Sequence, residues 1–149
     1  MPDSDPLNEL PSVHPSAFIA KSADLIGAVT VGEEASVWYS SVLRADINKI
    51  KIGNRSNIQD GCIVHLESDL GTEVGQYVTV GHKAILHACR IDDEVLVGMG
   101  AIVMDGVEVG SRSIIGAGSL VTGGWYTAAT PWAGAAGSLP RTALRSRER

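Results

Sequence analysis

The chain has 149 residues, 44% of them hydrophobic, and a formal charge of −5, which suits one globular domain over residues 1–149. The acidic balance argues against a nucleic-acid partner. The acidic, proline-bearing start has no leader-peptide pattern, no apolar run is long enough for a membrane span, and two cysteines without a CxxC predict reduced core thiols in a cytoplasmic protein.

From about Ser16 to Thr122 the sequence counts in sixes. Ile19, Leu25, Val31, Val37 and Leu43 fall in register. After a three-residue slip come Ile52, Ile58 and Val64, and after a four-residue slip Val74, Val80 and Leu86. A one-residue deletion then leads to Ile91, Val97, Val103, Val109, Ile115 and Val121. The fifth position is small or β-branched except at Ile47 and Arg90. The second is often glycine, as at Gly53 and Gly98. A large aliphatic at one position points inward, a small residue four places on fits a corner, and glycine tolerates turn dihedrals. Six residues make a face and three faces a coil. The pattern resembles the hexapeptide-repeat family, which implies an all-β fold: a left-handed parallel β-helix of five or six coils. Residues 123–149 leave the lattice. Trp125, Tyr126 and Trp132 are expected to cap the open end, and the arginine-bearing segment from Ser138 to form a short terminal tail or helix.

The chemistry gathers between Asn57 and Cys89, which holds His65, His82 and His87. Three imidazoles with one open position are the pattern of a catalytic zinc site. Residues three hexads apart should stack one rung, about 4.8 Å, from each other. His65 and His87 both take the second position, so they stack, with Arg44 beneath His65. His82 takes the third position on another face, above Asp60 and beside Gln59. One prism cannot bring the two columns together. Three prisms around a threefold axis can, with two histidines from one chain and one from its neighbour.

Arg44-Ala45-Asp46, Asn57-Ile58-Gln59-Asp60-Gly61, His65, and Gly81-His82 through His87 resemble the γ-class carbonic anhydrases and their bacterial relatives. The resemblance implies that His65, His82 and His87 bind zinc, with iron or cobalt as substitutes, across the interfaces of a homotrimer. It implies that Gln59 hydrogen-bonds the reacting water, that Asn57 supports Gln59, and that Arg44, Asp46 and Asp60 form interface ion pairs. The activity implied is reversible hydration of CO2 to bicarbonate by a zinc-generated hydroxide. Glu67 stands as the candidate proton shuttle in a connector, Leu66 to Glu73, shorter than that family's acidic loop. Ile47 or Asn48 stands where the family has a second glutamate. The alternatives are a hexapeptide-repeat acyltransferase or acyl-CoA thioesterase, and a non-catalytic trimer stapled by metal.

Overall fold

The computed structural model describes residues 5–126. A 3-10 turn at Pro6–Asn8 and the short strand β1 (Ser12–Val13) lead into a left-handed parallel β-helix. The first coil carries β2 (Phe18–Ile19) and β3 (Asp24–Val31), the second β4 (Ser36–Val37) and β5 (Val42–Ile52). The third carries β6 (Asn57–Ile58), β7 (Ile63–His65) and β8 (Thr72–Val74). The fourth carries β9 (Thr79–Val80), β10 (Ile85–His87) and β11 (Arg90–Ile91). The fifth carries β12 (Leu96–Val97), β13 (Ile102–Val103) and β14 (Val107–Val109). The sixth carries β15 (Ile114–Ile115), β16 (Leu120–Val121) and β17 (Gly124–Tyr126).

Every pairing is parallel and joins neighbouring coils. The first face stacks β2, β4, β6, β9, β12 and β15. The second stacks the first half of β3 and of β5 with β7, β10, β13 and β16. The third stacks β1 and the second halves of β3 and β5 with β8, β11, β14 and β17. The aliphatic first positions form one column per face. Leu25, Leu43, Val64, Leu86, Val103 and Val121 pair in register on the second face. Of the seventeen first positions, fifteen are buried, leaving only Ile19 and Leu25 partly exposed at the open end. Each buried aliphatic stabilises the prism by about 1.5–3 kcal/mol. Buried serines at the fifth position find carbonyl acceptors: Ser41 Oγ donates to Gln59 at 2.8 Å and Ser56 Oγ to Gly75 at 2.6 Å on the next coil, and Ser113 Oγ to Gly110 at 2.6 Å within its own. Cys62 and Cys89 are buried, free thiols, and burial pushes them up to about 11 and about 12 respectively.

Two details differ from the sequence reading. The lattice continues beyond Thr122, because Tyr126 pairs with Val109 as a further rung of the third face. The rest of the expected cap and tail, 127–149, lies outside the described residues. Second, the glycines of the second position are not there for turn dihedrals. The left-handed residue is the fourth of the hexad, and it is often not glycine: Glu34, Arg55, Tyr77, Lys83, Glu94 and Arg112 have φ between 52° and 60°. The second-position glycine serves close stacking instead. A Cβ on Gly53 would lie 2.3 Å from the Gly75 carbonyl oxygen, and one on Gly98 would lie 2.4 Å from the Ala117 amide. Gly53→Ala is therefore expected to destabilise the prism by about 1–3 kcal/mol through overpacking. Chemical denaturation checks this; an unchanged midpoint would refute the stacking argument.

Every departure from six falls on one corner, between the second and third faces. Leu43 to Ile52 and Val64 to Val74 are long; Leu86 to Ile91 and Val121 to Tyr126 are short. Ile47 and Arg90, the exceptions at the fifth position, sit there too and are exposed. The outward residues also sort by face. From the second coil onward the second face carries an uncharged aliphatic stripe, Val42, Ile63, Ile85, Ile102 and Leu120, with Asp24 in the same column on the first coil. The third face alternates charge from rung to rung: Lys51, Glu73, Arg90, Glu108.

Candidate metal centre

The irregular corner positions the first group of candidates. His65 ends β7 and His87 ends β10, and they are register partners. His65 Nδ1 and His87 Nε2 lie 3.2 Å apart, with both rings partly buried. The other nitrogen of each ring faces a carboxylate. His65 Nε2 is 2.9 Å from Asp46 Oδ1 and His87 Nδ1 is 2.5 Å from Asp105 Oδ1. Arg44, beneath His65, makes a close ion pair with Asp46 inside the same chain. Burial opposes the charge of Asp46. Hydrogen bonds from His65, the Asp46 backbone amide and Arg44 outweigh it and hold the carboxyl below its usual range.

These partners assign the tautomers. An ionised carboxylate only accepts, so each histidine donates the N–H that faces its aspartate. In the neutral rings, His65 Nδ1 and His87 Nε2 then both present lone pairs. Two acceptors cannot bond each other; a proton or a cation must lie between them. Two nitrogens each about 2.0–2.1 Å from a tetrahedral zinc would be about 3.3–3.4 Å apart. The 3.2 Å separation fits such an ion.

His82 lies on a different corner, between the first and second faces, just after β9. Its Nδ1 is 3.0 Å from Asp60 Oδ2, and the side chain is half exposed. It shares a shallow cleft of about 390 Å³ with Ser36, Trp38, Asn57, Gln59 and Asp60. Asn57 Nδ2 donates to Thr79 Oγ1 at 3.2 Å. Within one chain the structure thus brings together His65, His87, Arg44 and Asp46 at one corner, and His82, Asp60, Gln59 and Asn57 at the other. Asp60, which the resemblance places among the interface ion pairs, lies beside His82 within the chain.

Glu67 joins the first corner. Its carboxylate, His87 and Asp105 offer ligand atoms all within 4.8 Å of one another. Asp105 escaped the sequence reading because it belongs to the next coil. The signal was available: it is the third residue of the Val103 hexad, one rung beyond His87.

Residues 88–123 match the model of the bacterial transferase hexapeptide (six repeats). A hexapeptide transferase family protein from Anaplasma phagocytophilum superposes with a TM-score of 0.73 at 44% identity, covering 78% of this chain and 73% of that one. The chain belongs to the hexapeptide-repeat family. Among curated proteins it is 44% identical over 117 residues to Gamma carbonic anhydrase 2, mitochondrial, of Arabidopsis thaliana, covering 74% of this chain and 42% of that protein. It is 44% identical over 116 residues to the carnitine operon protein CaiE of Escherichia coli, covering 78% and 59%. The chain thus spans less than two thirds of the length of these curated relatives. Among the described residues of this hexapeptide-repeat chain, no helix is long and apolar enough to cross a membrane.

Proposed function

We propose that this protein is a γ-class carbonic anhydrase-like metalloprotein, a single-domain homotrimer that hydrates CO2 reversibly at its subunit interfaces. The observation that carries the reading is the pair of facing ring nitrogens, His65 Nδ1 and His87 Nε2, 3.2 Å apart with an aspartate on the far side of each ring. His65 and His87 of one protomer and His82 of the next would hold zinc, or iron or cobalt in its place. A divalent ion held by three neutral imidazoles supplies Lewis acidity that generates a nucleophile from water near neutral pH.

The chain's own residues do the rest. Gln59 reaches the site with the neighbour's His82 corner and orients the attacking water, with Asn57 on the same strand end. Glu67, exposed beside His87, accepts the proton and returns it to solvent. Arg44 neutralises Asp46 and so steadies the His65 side of the interface. The second face lies between the two histidine corners. Joining corner to corner around a threefold axis therefore turns that face toward the axis, where its aliphatic stripe is covered by two other copies. The charged third face stays in water. Buried, protonated thiols suit a cytoplasmic location.

The similarity to a protein called a hexapeptide transferase favours acyl transfer from coenzyme A as a second reading. Against it, no insertion among the described hexads exceeds four residues, leaving no long loop to hold that cofactor. The test is metal analysis of the purified protein with stopped-flow CO2 hydration and an acetyl-CoA assay alongside. The expected result is one zinc per protomer with CO2 hydration and no acetyl transfer. Zinc without hydration would leave a metal-stapled trimer, and acetyl transfer without hydration would establish the second reading.

A further inference from the structure

The three histidines follow one rule: each turns one ring nitrogen to an aspartate and the other away from it. His65 has Asp46, His82 has Asp60 and His87 has Asp105. The three aspartates are not equivalent. Asp46 is shared with Arg44, which draws on its charge. Asp105 makes the shortest of the three contacts, 2.5 Å, and Glu67 stands beside the pair, with ligand atoms of Glu67, His87 and Asp105 all within 4.8 Å of one another. The turn that carries Asp105 is fastened to the strand end that carries His87: the Gly106 amide donates to the Ala88 carbonyl at 2.8 Å. An imidazole can swing about its bond to Cβ and offer either nitrogen to an ion. A fixed acceptor on one side removes that choice.

We propose that Asp105 is the positioning residue for His87: by holding Nδ1–H it fixes the ring with Nε2 toward His65. This rests on the three-histidine metal reading above. It gives an unequal ligand set, in which His65 is supported by an aspartate shared with arginine and His87 by one that is not. The coil above, rather than the hexads that contain the histidines, then sets how tightly the ion is held.

The test is titration of the metal-free full-length protein with cobalt(II), read by visible absorption and by competition with a chelator. The variants are Asp105→Ala, Asp105→Asn and Asp105→Glu, each with light scattering and a melting curve of the metal-free form. Asp105→Ala is expected to bind cobalt 10–100-fold more weakly, with an altered absorption band but an unchanged metal-free melting temperature. Asp105→Asn keeps an acceptor oxygen without the charge and should lose less, and Asp105→Glu should recover most of the affinity. Cobalt binding by Asp105→Ala and Asp105→Asn as tight as in the unaltered chain would overturn the inference while leaving the metal reading intact. So would a second cobalt per protomer that disappears with Asp105, since Glu67, His87 and Asp105 would then form a site of their own. No cobalt binding by the unaltered chain would overturn both.

Discussion

Chains carrying His65→Ala and chains carrying His82→Ala will each fail to hold zinc alone, and will recover part of it when refolded together. The two histidines occupy different corners of one prism and cannot converge within it. Zinc held by protein ligands is worth about 10–16 kcal/mol in apparent terms. Those values belong to sites with four protein ligands, so one ligand accounts for about 2.5–4 kcal/mol, or roughly 10²–10³-fold in affinity. In a mixed trimer, one interface joins an intact His65–His87 corner to an intact His82 corner. Random assembly of equal amounts makes about one quarter of all interfaces competent. Mass spectrometry confirms the mixed trimers, and metal analysis reads the recovery. Mixed trimers that hold no zinc would show that the ligands come from one chain.

Ile63→Asp should give a folded monomer that binds no metal. Ile63 sits in the middle of the aliphatic stripe and is 40% exposed in the isolated prism, so an aspartate there can stay hydrated. In the trimer the same position faces the axis, and three carboxylates would meet where water is excluded. The effective penalty for burying such ions is several kcal/mol each, more than a stripe of aliphatics can offset. Light scattering should report one protomer, with a circular dichroism spectrum matching the unaltered chain and no zinc after dialysis. A trimer that persisted with zinc bound would place the second face outside the interface.

The three columns of the core were readable because a period of six leaves the same residue type at the same corner of every coil. The stacking of His65 on His87, and the separation of His82, follow from that count alone. The role of the second-position glycine was not readable. Gly53 differs from an alanine only through the Gly75 carbonyl behind it, which belongs to the next coil. Nor did the count announce that Glu34, Arg55 and Tyr77 carry the left-handed turns, since nothing in those side chains favours that conformation. Asp105 lay within reach of the same count, as the third residue of the Val103 hexad, but nothing in its own hexad marks it as the partner of His87. The slips were visible as slips. Only the assignment of faces shows that all of them fall on the corner where His65 and His87 end their strands.

The strictly neighbouring pairing of the coils has a kinetic side. Register partners lie 17 residues apart, as Leu86 and Val103 do, or up to 22 apart, as Val64 and Leu86 do. Among the described residues no strand waits for a partner from the far end of the chain, so the loop-closure cost of each new rung is small and nearly constant. At ribosomal rates of about 5–20 residues per second, one coil emerges in about one to four seconds, long enough to settle on the edge left by its predecessor. The prism can therefore grow from its N-terminal end as it is made, each rung serving as the template for the next. Both histidine corners, Asp105 included, would then stand formed on a nascent chain whose sixth coil is still unmade.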